Sequence, residues 1–234
     1  TPVLTRVINN ERRTEIIERV RAAAHEGRQI YWVCPLIEES EKLQLQTAID
    51  TADLLRQALP ELSIGLIHGR LSAAEKASLM AGFVANQLQL LVATTVIEVG
   101  VDVANASLMI IEHAERFGLA QLHQLRGRVG RGSTQSACVL LYQSPLSMQA
   151  KQRLSTMRDT NDGFIIAQRD LEIRGPGEFF GARQSGQALL RFADLATDSA
   201  LITPAREAAK QILERFPHAV DAHLDRWLNT RSNY

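Results

Sequence analysis

Apolar positions fall into five short runs separated by polar stretches with helical spacing. Gln29-Ile30-Tyr31-Trp32-Val33-Cys34-Pro35-Leu36 is almost continuously apolar, as a parallel strand buried on both faces must be. Ser63-Ile64-Gly65-Leu66-Ile67, then residues 88–93, 108–111 and 137–142, repeat the pattern. An extended segment, 2–8, precedes a charged helix over 11–26. Glu38-Glu39-Ser40-Glu41 leads into a second helix, which Pro60 stops. Ser72 predicts an N-cap for a helix over 73–85, with Glu75 completing a capping box. Strands alternating with helices give an α/β class with a parallel sheet and ligands at the C-terminal ends of its strands.

Past Ser144 the strand pattern stops. Helices are expected over 146–160 and 163–173, joined by the turn-forming Asp159-Thr160-Asn161-Asp162-Gly163. The stretch 174–186 carries four glycines and a proline, which makes it a loop or hinge. Thr203 and Pro204 predict the cap and first turn of a further helix, closed at Phe216-Pro217, and a short helix is expected around 221–228. The division is therefore an α/β lobe at 1–144 and a mostly helical region at 145–234.

Composition narrows this picture only in places. With 26 basic and 26 acidic side chains among 234 residues, there is no global polyanion-binding charge, so nucleic-acid contact must rest on local patches. Arginine greatly outnumbers lysine, found only at Lys42, Lys76, Lys151 and Lys210. Cys34 and Cys138 sit in apolar runs with no metal-ligand spacing and read as reduced core residues of a cytoplasmic protein. No apolar run reaches the ~18 residues of a membrane span. Beginning at Thr1 rather than Met, the chain reads as a piece of something longer.

The chemistry concentrates in Gln121-Leu122-His123-Gln124-Leu125-Arg126-Gly127-Arg128-Val129-Gly130-Arg131-Gly132. Read as a helix, it sets Gln124, Arg128 and Arg131 on one face and Leu122, Leu125 and Val129 on another, with Gly132 as a C-terminal cap. Guanidinium groups suit phosphate because their charge is permanent and their fork grips oxygens bidentately. An arginine-rich solvated face is the plain alternative. The exit of the third apolar run, Thr94-Thr95-Val96-Ile97-Glu98-Val99-Gly100-Val101-Asp102, offers hydroxyls and amides to phosphate and a carboxylate to ribose. His68-Gly69-Arg70 after the second run is either a phosphate contact or a surface turn. Glu112, His113 and Glu115 suggest acid–base or metal chemistry, but no further ligand converges on them by spacing.

Thr-Thr-x-x-Glu-x-Gly-x-Asp, ending 22 residues before the Gln124 of Gln-x-x-Gly-Arg-x-x-Arg, resembles helicase motifs five and six of superfamily-two helicases. The resemblance implies a RecA-like second motor lobe. In it Arg128 and Arg131 are fingers on the γ-phosphate of ATP, and Gln124, Gly100 and Asp102 face the nucleotide. Thr94, Thr95, His68, Gly69 and Arg70 face the DNA backbone. No Gly-x-x-x-x-Gly-Lys-Ser/Thr and no Asp-Glu-x-His occur, so the chain is not expected to hydrolyse ATP alone. ATP and Mg²⁺ would be bound mainly by a missing N-terminal lobe.

Met157 to Phe164, Arg169 to Glu178 and Gly181 to Gly186 resemble the RecG family of bacterial DNA translocases. Gly-Pro-Gly-Glu with Arg183-Gln184 favours that family over the related transcription-repair coupling factor. The resemblance implies branched double-stranded DNA as substrate, in fork regression and Holliday-junction unwinding. It further implies a helical translocation hairpin coupled through Arg153, Arg183 and Gln184, partnership with an N-terminal motor lobe and a wedge domain, and a cytoplasmic, nucleoid-associated setting. Single-stranded DNA-binding protein is a further candidate partner, and no membrane is implied. A non-catalytic interaction module is the other class of reading, disfavoured because a scaffold has no need of Arg128 and Arg131.

Overall fold

The computed structural model describes residues 2–35, 41–94, 103–130, 132, 135–174 and 201–220. Along the chain run β1 (Leu4–Asn9), α1 (Arg13–His25), β2 (Gln29–Cys34), α2 (Glu41–Ala58), β3 (Ile64–Ile67), α3 (Ala73–Val84) and β4 (Leu90–Thr94). They are followed by β5 (Ala106–Ile111), α4 (Leu119–Arg126), β6 (Ala137–Tyr142), α5 (Met148–Asp159), α6 (Gly163–Arg174) and α7 (Ile202–Arg215). Two compact units result, Thr1–Ile173 and Arg174–Tyr234.

In the first unit the described strands form a six-stranded sheet, ordered β1-β6-β5-β2-β4-β3. Every pairing is parallel. The opening extended segment is thus an edge strand, Leu4 level with Ala137 and Asn9 with Tyr142. Successive side chains of a strand point to opposite faces. Tyr31 and Val33 of β2 therefore join one core while Ile30, Trp32 and Cys34 join the other. The first core packs under α3, α4 and α5 through Phe83, Leu122 and Leu154; the second packs under α1 and α2 through Val20 and Leu55. Each fully buried aliphatic or aromatic side chain contributes roughly 1.5–3 kcal/mol to this three-layer arrangement.

The capping box of α3 forms as expected: Ser72 Oγ accepts from the Glu75 amide at 3.2 Å and Glu75 Oε2 accepts from the Ser72 amide at 2.8 Å. Cys34 and Cys138 are free and buried, and burial pushes both thiols up to about 12. In the second unit α7 begins at Ile202 with Leu201 at the cap position, so Thr203 lies inside the helix and does not cap it. Pro204 still falls in the first turn, where its missing amide costs no helical bond. The loop expected after Arg174 and the helix expected around 221–228 lie outside the described residues. Among the described residues no helix is long and apolar enough to cross a membrane.

Candidate nucleotide and nucleic-acid site

The chain leaves β4 on one side of β2 and re-enters as β5 on the other. At such a reversal the strand exits diverge and open a crevice at the carboxyl edge, the usual ligand position in open α/β sheets. Thr94, 4% exposed, is the last residue of β4 and pairs with Cys34 across that edge. Thr95, Gly100, Asp102 and Arg131 lie outside the described residues, as do Arg183 and Gln184.

Glu112 follows β5. Its Oε1 accepts from Trp32 Nε1 at 2.7 Å and lies 2.6 Å from Arg13 Nη2, whose guanidinium stands 5.5 Å from the Trp32 ring centroid. Glu115 sits in the turn beyond. Burial disfavours its charge, yet hydrogen bonds from His113, its own amide and the Gln143 amide outweigh burial and lower its pKa. Both carboxylates therefore have structural partners, and among the described residues no metal-binding group of His, Cys, Asp and Glu forms.

Gly118 precedes α4 and donates its amide to Gln121 Oε1 at 3.0 Å. Leu119, Leu122 and Leu125 anchor the helix in the core, and Val129 beyond it is also buried. The helix stops at Arg126, not at 131. Gly127 is its C-cap, and the amides of Arg128 and Val129 turn back onto the carbonyls of Leu125 and Arg126. Gly130 then takes φ +90°, which a helix cannot accommodate. Exposed Gln124 lies in the last helical turn, and half-buried Arg128 lies in the turn that follows the helix.

That bend is wedged. A Cβ at Gly130 would stand 2.7 Å from Val3 Cγ2, and one at Gly132 would overlap the carbonyl oxygen of Ala104. At Gly127 the nearest contact would be an ordinary 3.4 Å. Gly132→Ala should therefore destabilise the chain by about 1–3 kcal/mol, while Gly127→Ala should change stability by under about 1 kcal/mol. Urea unfolding of both variants checks this, and equal midpoints would refute the wedge.

At the exit of β3, His68 is half-buried and Gly69 and Arg70 are exposed. Burial, then Lys76 and Arg70, lowers the His68 pKa. Lys76 Nζ donates to Gly69 O at 3.0 Å, which adds a third basic side chain to the turn. Arg153, on α5, donates from Nη2 to Glu115 O at 2.7 Å and so ties the hairpin to the segment that enters α4.

Arg126 was not legible as a site residue. It is 3% exposed, and its Nη1 donates to Met157 O at 2.8 Å, Thr160 O at 2.9 Å and Thr5 Oγ1 at 3.3 Å. Its Nη2 donates to His123 Nδ1 at 3.2 Å. The available signal was its place on the core stripe after Leu119 and Leu122, where an arginine must be buried and paired.

The profile of the helicase conserved C-terminal domain matches residues 10–133, more than half of the sequence. The chain belongs to that helicase family. A second profile, the C-terminal part of domain 3 of ATP-dependent DNA helicase RecG, matches residues 160–227. Across all of its length the chain is 59% identical to the ATP-dependent DNA helicase RecG of Escherichia coli K12 and 56% identical to that of Acidithiobacillus ferridurans. It spans 34% of each of these curated relatives, about a third. A solved structure of RecG bound to a three-way DNA junction superposes with a TM-score of 0.66 at 41% identity, covering 86% of this chain and 26% of the other. The helicase lobe is thus RecA-like and corresponds to a RecG C-terminal portion.

Proposed function

We propose that the chain is the second motor lobe and translocation element of an ATP-dependent double-stranded DNA translocase. Its substrate is branched DNA, remodelled by fork regression and Holliday-junction unwinding in repair and recombination. The observation that carries this reading is the match to RecG relatives over the whole chain, hairpin included.

In this reading Arg128 and Arg131 stabilise charge on the transferring γ-phosphoryl group, while Gln124, Gly100 and Asp102 sense the nucleotide. Thr94, Thr95, His68, Gly69 and Arg70 hold DNA phosphates without reading sequence. Arg153, Arg183 and Gln184 couple the hairpin to the motor. Cationic and neutral donors suit phosphate oxygens, whereas Glu112 and Glu115 are already engaged by Arg13, Trp32 and His113. Mg²⁺, which neutralises phosphate charge when bound, would thus be held mainly by the N-terminal lobe together with most of ATP. A wedge domain beside that lobe supplies the branch preference, and single-stranded DNA-binding protein is a candidate partner. The reading carries with it a bacterial, cytoplasmic and nucleoid-associated location.

The test is a chimera in which this chain replaces the matching third of the E. coli relative. Forked DNA should stimulate ATP turnover by the chimera, and the chain alone should give none. A folded chimera with no DNA-stimulated turnover would overturn the motor reading; turnover by the chain alone would mean that it holds a complete nucleotide site.

A further inference from the structure

Helix α5 ends at Asp159, and its last carbonyls have no intrahelical donor. Thr160 donates its amide back to Thr156 O, which leaves Met157 O and Thr160 O to be satisfied from outside. Both accept from one guanidinium nitrogen of Arg126. A cation there also faces the negative end of the α5 dipole. One turn earlier on α4, His123 receives the other arm of Arg126 and faces the start of α6: a Cβ on Gly163 would lie 3.3 Å from His123 Nε2. His123 and Arg126 together form a seat for the α5–α6 turn, two residues from the bend that carries Arg128.

Apolar packing alone does not account for a charge at this position. Leu119 and Leu122 on the same stripe are fully buried, and Leu154 and Met157 already hold α5 in the core. An apolar side chain at 126 would extend that contact without desolvating a guanidinium, but it would leave Met157 O and Thr160 O without their donor. What an apolar residue could not do is fix the direction of two backbone carbonyls. We propose that Arg126 is a positioning residue of the motor. It clamps the hairpin turn to the end of α4, so that any shift of the phosphate-facing bend is passed to α5 and α6 as a rigid displacement. This rests on the motor reading above and adds to it a residue outside the set Arg153, Arg183 and Gln184.

The experiment measures forked-DNA unwinding and DNA-stimulated ATP turnover side by side in the chimera. Arg126→Met, which keeps the stripe apolar, should lower the junctions unwound per ATP by about tenfold while turnover changes by less than about threefold. Arg126→Lys keeps the charge without the fork and should recover part of the loss. Equal falls in both activities, or no change in either, would overturn the proposal. Gly163→Ala approaches the same seat from the other side and favours helix, so it does not depend on Arg126 variants folding. Its added methyl group crowds His123 and should uncouple in the same sense, and His123→Ala, which takes away the acceptor for the other arm of Arg126, should uncouple as well. Unchanged coupling in Gly163→Ala or in His123→Ala would also count against the seat. An unmodified chimera without DNA-stimulated turnover fails differently: it removes the motor reading itself, and this inference with it.

Discussion

Arg128→Ala in the chimera should lower DNA-stimulated ATP turnover by about 10³–10⁵-fold, the range over which an arginine finger acts. Arg128 follows the Gly127 cap, is half-buried, and precedes Gly130 and Gly132, where an added Cβ would meet Val3 or Ala104. A guanidinium that acts mainly when charge develops on the transferring phosphoryl affects kcat more than KM. Arg128→Lys should recover little, because a point charge on a flexible stem lacks the planar fork. Steady-state kinetics with saturating forked DNA reads both constants. A loss confined to KM would make Arg128 a ground-state binder, and turnover within about tenfold of the unmodified chimera would end the finger assignment.

The sheet was legible because its strands are buried on both faces and so read as unbroken apolar runs. Residues 137–142 are β6 without adjustment, and 29–36 contains β2. β1 was legible only as extended chain. Exposed Leu4 and Arg6 flank buried Thr5, so its composition gives no clean burial signal, and only the pairing with β6 makes it a strand. The spacing of the Gln124–Arg131 segment predicts one continuous helix, whereas α4 ends at Arg126. Periodicity counts side chains and is blind to the Gly127 cap, which ends the helix before Arg128, and to the positive φ of Gly130 that follows. Arg126 was hidden for another reason. In a motif full of arginines, pattern alone does not separate one that faces phosphate from one that faces carbonyls 31 and 34 residues later in the chain.

The largest stability effect should come from Glu112→Ala. Its side chain is 5% exposed, accepts from Trp32 Nε1 and is ion-paired with Arg13, so truncation leaves an indole N–H without its acceptor and a cation without its counter-charge. Breaking such a buried pair from one side costs about 3–5 kcal/mol, which for a chain of this size lowers the melting temperature by roughly 10 °C. Glu112→Gln separates the two contributions. It keeps an acceptor for Trp32 and loses the charge opposite Arg13, so its cost should be smaller than that of alanine. The partners also differ in place: Arg13 opens α1, Trp32 lies on β2, and Glu112 begins the segment through the left-handed His113 into α4. Loss of the carboxylate should therefore loosen the entry to α4 as well as α1, visible as faster amide exchange at Arg116, Phe117 and Leu122, whose amides donate within that segment. Thermal unfolding with hydrogen exchange checks both parts. A melting temperature within about 2 °C of the parent would mean that water replaces the carboxylate at little cost, and that the ion pair does not fix this segment.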